Sequence, residues 1–313
     1  MKTFFALLLL IIAAGLGALA FTFTPARLPV TPLAETELPK ASPPLGMTIS
    51  AMPTGAMHSQ AVFAYRGGGI GDARDFGMTG FLVHHPKGDL LFDTGFGSHV
   101  DEDAKTLPLL MQITTSYTKG KTIAQQFAAA GYDYRQLAGV VLTHAHWDHI
   151  SGLRDLPGVT VWVDEPERAF IDSGLPMAAL AHGMSGSLQY KVYDFTGGPY
   201  LGYPKSLDVW GDGSVVLVPT PGHTPGSITA FITLPSGTRY ALVGDTVWQT
   251  EGIDIPAERP WLSRKLVDND ADEVREQVEH LAAIHQRFPQ IRMVPAHDAR
   301  AARDMPQYPA VGS

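Results

Sequence analysis

Four side chains able to bind a metal ion fall within six positions of this chain, in the run Thr143-His144-Ala145-His146-Trp147-Asp148-His149. Neutral imidazole and carboxylate are the donors that zinc and similar divalent ions prefer, and a catalytic zinc leaves one position open for water. Three further candidates stand downstream: His223 in Pro221-Gly222-His223-Thr224, Asp245 in Val243-Gly244-Asp245, and His297 in Pro295-Ala296-His297-Asp298. Seven such groups suffice for two ions. We assign His144, His146 and His223 to one and Asp148, His149 and His297 to the other, with the Asp245 carboxylate and a hydroxide bridging them. Water bound to such a pair ionises near pH ~7, so the chemistry expected is hydrolysis, with Asp148 placed to carry the proton to the leaving group. A lone histidine is more often a surface or satisfied core residue than a ligand, but a run this dense does not suit that reading.

The elements that must position these groups can be read from the same sequence. Residues 137–142, Leu-Ala-Gly-Val-Val-Leu, form an apolar run bounded by polar residues, as a buried strand does, which puts the His/Asp run on the loop at its carboxyl end. Sites in α/β sheets collect there. His149 breaks the period-two alternation of positions 144, 146 and 148 and predicts a turn into a helix. Early strands are expected at 47–51, 61–64, 80–84 and 90–92, and later ones at 159–163, 215–218, 228–233, 240–243 and 292–294. Helices are expected at 122–130, closed by Gly131, and at 271–288, where Val274, Val278, Leu281, Ile284 and Phe288 recur three or four apart behind Asp270 and Glu273.

With these residues in place, the chain resembles the metallo-β-lactamase superfamily of binuclear metal hydrolases over roughly residues 47–300. Leu91-Phe92-Asp93-Thr94-Gly95 is similar to its first motif, the His-x-His-x-Asp-His run to the second, and the segments around His223, Asp245 and His297 to the remaining three, all in order. The resemblance implies an α+β fold, a four-layered αββα sandwich with two divalent metal ions at one edge, zinc first and iron or manganese as alternatives. It also implies that Asp93 stands behind the metal loop and orients it. Met52-Pro53-Thr54-Gly55 and Ala296-His297-Asp298 resemble the N-acyl homoserine lactonase branch. Those lactonases carry a tyrosine three positions after the bridging Asp, where this chain has Trp248, whose indole N–H donates a hydrogen bond but cannot serve as an acid.

The remainder of the sequence sets the setting. A formal charge of −8 over 313 residues gives no basic footprint, so a nucleic-acid partner is disfavoured and a small molecule expected. There is no cysteine, hence no disulfide and no thiolate ligand. Residues 4–23 are apolar apart from Thr22 and contain the small-residue sequence Ala18-Leu19-Ala20. They read as a signal peptide, or as an uncleaved anchor, since ~20 helical residues cross a hydrocarbon core; either leaves the catalytic part outside the cytoplasm. Residues 24–45 are proline-rich and read as an extended linker, and 46–313 as the hydrolase domain. Within it, 96–121 and 170–211 interrupt the strand pattern and carry Leu109, Leu110, Met111, Tyr117, Met177, Met184, Tyr190, Tyr193, Phe195, Tyr200 and Tyr203, which with Trp248 are expected to line a substrate pocket. The readings that follow are a lactonase or related esterase, a phosphotriesterase-like or thioesterase enzyme, or an iron-dependent sulfur oxygenase on the same scaffold. The oligomeric state is open.

Overall fold

Strands that are apolar at both odd and even positions must be covered on both faces, and that requirement accounts for the layering of this molecule. The computed structural model describes residues 2–34, 36–114 and 116–312; Met1, Glu35, Thr115 and Ser313, which fall in the expected leader, linker, pocket segment and domain end, lie outside the described residues. The strands are β1 (Thr48–Gln60), β2 (Ala73–His84), β3 (Asp89–Phe92), β4 (Ser116–Lys119), β5 (Leu137–Val141), β6 (Thr160–Asp164), β7 (Gln189–Tyr193), β8 (Leu207–Asp208), β9 (Val215–Pro219), β10 (Ile228–Thr233), β11 (Arg239–Leu242) and β12 (Ile291–Val294). The helices are α1 (Lys2–Phe21), α2 (Ala61–Ala64), α3 (Val100–Asp103), α4 (Leu109–Thr114), α5 (Ile123–Ala130), α6 (Trp147–Ile150), α7 (Glu165–Ser173), α8 (Ala179–Met184), α9 (Glu251–Asp254), α10 (Trp261–Val267), α11 (Ala271–Arg287) and α12 (Ala299–Arg303).

A 7-stranded sheet in the order β4-β1-β2-β3-β5-β6-β7 faces a 5-stranded sheet in the order β12-β11-β10-β9-β8. Ile49, Phe81, Leu90 and Phe92 from the first meet Leu217, Ile232 and Leu242 from the second in a central core. Their sequence neighbours point the other way. Leu82, Leu91, Val140 and Val161 join Phe127 of α5 and Ile150 of α6 in an outer core, and Val218, Phe231 and Ala241 join Val274, Val278 and Leu281 of α11 in another. The result is a mixed α+β fold of two sheets between helical layers. Each fully buried Leu, Ile, Val or Phe contributes about 1.5–3 kcal/mol, so all three cores contribute to holding the strand ends in register.

Local signals set the helix ends. Thr122 and Gln125 form a reciprocal capping box on α5, and Gly131 closes it at φ 69°. Asp270 accepts from the backbone N–H groups of Asp272 and Glu273 at the start of α11. Two expectations need correction. Residues 61–64, Ala-Val-Phe-Ala, form α2 rather than a strand, because a short apolar run has no period to separate the two, and here β1 continues to Gln60 before the chain turns inward. Residues 24–34 and 36–45 form neither helix nor strand but are not a free spacer. The backbone N–H of Leu28 donates to Pro256 O and that of Ser42 to Asp212 O, Arg287 donates to Thr36 O and Arg239 to Pro39 O, and Leu28, Val30, Leu33 and Leu38 pack on the α11 side of the sandwich. The apolar residues between the prolines hold the strap down.

Candidate metal centre

Five loops leave one edge of the sandwich, at the carboxyl ends of β3, β5, β9, β11 and β12, and each brings one part of the site: Asp93, the 144–149 run, His223, Asp245 and His297. His146 ends the extended stretch and α6 begins at Trp147, so Asp148 and His149 project from a first helical turn. Gly222 is required where its loop meets α11: its φ is 126°, and a Cβ there would lie 2.5 Å from the Val274 nitrogen.

The donor atoms converge in three overlapping groups: His144, His146 and His223; His144, His149 and Asp245; and Asp148, His149 and His297, each with its ligand atoms within 4.8 Å of one another. Asp245 touches both sides, with Oδ2 3.4 Å from His223 Nε2 and 3.0 Å from His297 Nε2, and Oδ1 3.3 Å from His149 Nε2. Asp148 Oδ2 lies 3.4 Å from His297 Nε2. The chemistry of this set fits divalent cations. His144 Nε2, His149 Nε2 and Asp245 Oδ1 are buried without a hydrogen-bond partner, a costly arrangement that a cation among them would satisfy.

Three of the imidazoles have an acceptor on one ring nitrogen, which fixes the ring and leaves the other nitrogen facing the cluster, where His146 Nδ1 and His223 Nε2 lie 2.9 Å apart. His149 Nδ1–H donates to Asp93 at 2.8 Å, His223 Nδ1–H to Asp268 at 2.8 Å, and His297 Nδ1–H to the Gly77 carbonyl at 3.0 Å. Asp93 also accepts from Thr143 N and Oγ1, both at 2.7 Å, and it adopts φ 54°, which is unusual for a residue other than glycine. The Arg259 guanidinium donates to Asp268 as well. Glu167 joins the two loops: its carboxylate accepts from Ala145 N on one side and from Thr224 Oγ1 and Gly226 N on the other. Asp268 and Glu167 escaped the sequence reading, since neither stands in a local motif.

Electrostatics divide the five imidazoles: burial opposes charge on all of them, yet Asp93 and Asp245 beside His149, and Asp245 beside His223 and His297, carry those three above the ordinary histidine range. Burial drives the His144 and His146 imidazoles well below the ordinary histidine range, which keeps them in the neutral form that lends a lone pair. Burial opposes ionisation of Asp245, yet the His297 and His149 rings beside it hold its carboxyl well below the usual carboxylate range. Burial pushes Glu167 up to about 7, against the hydrogen bonds it accepts.

A cavity of about 370 Å³ opens over this floor, which exposes His146, Asp148, His223, Asp245 and His297 to it. Its walls are mostly apolar, with Met57, Phe63, Phe76, Met111, Met177 and Leu266 among them and Ser59 and Ser263 as polar exceptions. Trp248 lines it too, and its indole N–H donates to Asp245 Oδ2 at 2.8 Å while the ring edge meets Phe76. His58 stands on the wall, paired across the β1–β2 hairpin with Asp75 at 2.9 Å, and was not anticipated. Tyr193 and Phe195 must be placed elsewhere: they stack edge to face in the core between the sheets and border a separate hollow with Lys205 and Gln277. Tyr193 ends the edge strand β7 with its side chain turned inward, so its aromatic surface serves packing.

Residues 74–305 match the metallo-beta-lactamase superfamily. The chain is 30% identical over 236 residues to a probable metallo-hydrolase of Mycobacterium tuberculosis, covering 69% of this chain and 73% of that protein. It is 27% identical over 179 residues to the N-acyl homoserine lactonase AttM of Agrobacterium fabrum, covering 54% and 64%. Among solved structures, an N-acyl homoserine lactone hydrolase with N-hexanoyl-L-homoserine bound at its catalytic metal centre superposes with a TM-score of 0.65 at 16% identity, over 88% of this chain and 100% of that one. At that identity the likeness is one of fold.

Proposed function

Because this chain belongs to the metallo-beta-lactamase superfamily and is a metal-dependent hydrolase, we propose that it opens lactones or cleaves related esters that carry an apolar acyl or aryl group. The observation that supports this reading is the meeting of a polar floor of candidate metal ligands with mostly apolar walls in one cavity of about 370 Å³. His144, His146 and His223 would hold one divalent ion and Asp148, His149 and His297 the other, with Asp245 shared between them. Zinc suits an all-nitrogen and oxygen donor set of this kind, and iron and manganese are its competitors. Two such ions supply Lewis acidity toward the substrate carbonyl and a nucleophile drawn from water at neutral pH.

The residues of the chain account for the rest. Met57, Met111, Met177 and Leu266 exclude water from the acyl portion and orient the carbonyl toward the floor. Asp148 opens directly onto the cavity and is the group we assign to move the proton from the nucleophile to the leaving oxygen. Trp248 spends its one donor on Asp245 and therefore steadies the shared carboxylate.

Trp248 also supports a second reading. Among the described residues, no tyrosine lines the cavity, so a leaving group that departs without strong acid assistance, as from a thioester or an aryl phosphotriester, suits the wall as well. A direct experiment is to follow proton release from a long-chain N-acyl homoserine lactone by the metal-analysed protein, with and without a chelator. Chelator-sensitive release with two ions per chain is expected. Its absence from fully metal-loaded protein would move the assignment to thioesters and phosphotriesters.

A further inference from the structure

The apolar helix α1 ends at the mouth of the metal cavity, and no slack separates the two. Residues 4–21 are apolar and exposed along their whole length, long enough to cross a hydrocarbon core. Immediately after them the chain is pinned to the domain. Arg66 donates to the Phe21 and Thr24 carbonyls and its guanidinium lies over the Phe21 ring. The Thr22 hydroxyl accepts from the Trp261 backbone N–H, Gly67 N donates to Phe23 O, and the Phe23 ring meets Phe63 edge on at 6.1 Å. Phe63 is itself a wall of the cavity, and Leu262, next to Trp261, is another. From Pro25 onward the strap runs along the sandwich rather than away from it.

The rim around that mouth is built from short elements that show apolar side chains outward. Leu109 and Ile113, four residues apart on α4, are each 72% exposed, while Met111 between them faces the cavity. Leu175, two residues before the wall residue Met177, is 50% exposed. On α10, Trp261 is 49% exposed and shares a face with Lys265, a pairing that suits the level of lipid headgroups, where an indole and a snorkelling lysine both find their preferred surroundings. Large apolar residues gathered at one opening mark a contact surface rather than chance exposure.

We infer that this rim is a membrane-contact face: the mouth of the cavity rests on the lipid surface that α1 enters, and amphiphilic substrates pass from the bilayer into the cavity without crossing bulk water. The strap removes the freedom that a flexible linker would give, so inserting α1 sets Trp261, Leu109 and Ile113 at the interface together. The inference goes beyond the hydrolytic reading, because it concerns where the opening lies and not what is cleaved there.

The chain has no native cysteine, so single nitroxide labels can be placed cleanly. Full-length protein carrying Leu109→Cys, Ile113→Cys, Trp261→Cys or, on the β10–β11 turn at the far end of the sandwich, Ser236→Cys is labelled and mixed with phosphatidylcholine vesicles. Labels at 109, 113 and 261 should gain oxygen collisions and lose access to a water-soluble nickel complex, while the label at 236 stays unchanged. The inference is overturned if the three rim labels remain as open to the nickel complex as 236, whether or not a label at Leu10 is shielded. These readings need no turnover and so stand apart from the substrate assignment. In a second arm, which rests on the hydrolase reading, the Leu109→Glu/Ile113→Glu double variant should lose roughly tenfold or more activity on a bilayer-dissolved ester and keep its activity on a short water-soluble one. Equal loss on both would count against it.

Discussion

The floor of the cavity and its walls are built by different rules. On the floor every candidate ligand follows a strand end, and His149, His223 and His297 each have one nitrogen tied by a buried acceptor. On the walls, Met57, Met177 and Leu266 come from strand β1, a short connection and helix α10, and their side chains contribute apolar surface. A metal site fails when a donor moves by fractions of an ångström, so its rings need second anchors; an apolar wall needs only volume and dryness, which several side chains supply together. On the proposed reading the floor sets the reaction, and the walls set what reaches it.

The largest effects should come from the floor and should fall on every substrate alike. Asp245→Asn removes the charge shared between the two half-sites, so metal analysis should show less than the full complement and hydrolysis should drop to background. Asp148→Asn keeps the shape but not the base, and should lower kcat by roughly 10²- to 10⁴-fold on all esters tested. If one ester were spared, Asp148 would belong with the walls. Asp93→Asn and Asp268→Asn should each weaken metal retention by about 10- to 100-fold in a chelator competition, and restore activity when metal is supplied in excess.

Glu167 tests how far the floor extends. It touches no candidate ligand, yet an amide in its place cannot accept from both Ala145 N and the Thr224 and Gly226 groups, so Glu167→Gln should loosen both loops and reduce metal affinity less than Asp93→Asn does. Its pKa gives a separate signature. The carboxyl is raised by burial from the ordinary value of 4.5 to about 7, so its ionisation is harder in the folded chain. The stabilising contribution is therefore complete below pH 4.5 and lost as pH rises to about 7. Denaturant titrations of the metal-free protein should show that decline in the wild type and a flatter profile in Glu167→Gln.

The same contrast decides what could be read from sequence. The 144–149 run stands out because its residue types are dense, and the strands before it because both faces of the sheet are apolar. Asp268 and Glu167 are silent because their partners lie 45 and 57 positions away, and only the packing of α7 and α10 beneath the loops brings them there. Tyr193 and Phe195 mislead for a related reason: aromatic content in a loop-rich segment does not say which face a ring takes, and the inter-sheet core took these two. The strap over residues 24–45 escaped because proline content predicts extension, while whether an extended segment packs depends on the surface it meets. Patterned chemistry is legible locally; tertiary support is not.

The walls should show their independence through substrate length. Each methylene that enters an apolar cavity contributes about 0.8 kcal/mol, roughly fourfold in kcat/KM, so a series of N-acyl lactones or acyl esters should rise steadily until the cavity is full. A floor variant removes a contribution common to all members and displaces the whole line downward without tilting it. Met177→Asn places a polar group on the wall, 50% exposed Leu175 beside it being already at the rim, and should flatten the slope while the shortest member keeps its kcat/KM. The decisive comparison is therefore between slopes and not between rates. If Met177→Asn lowers short and long substrates by the same factor, the wall residue acts through the metal floor, and the division between the two regions fails.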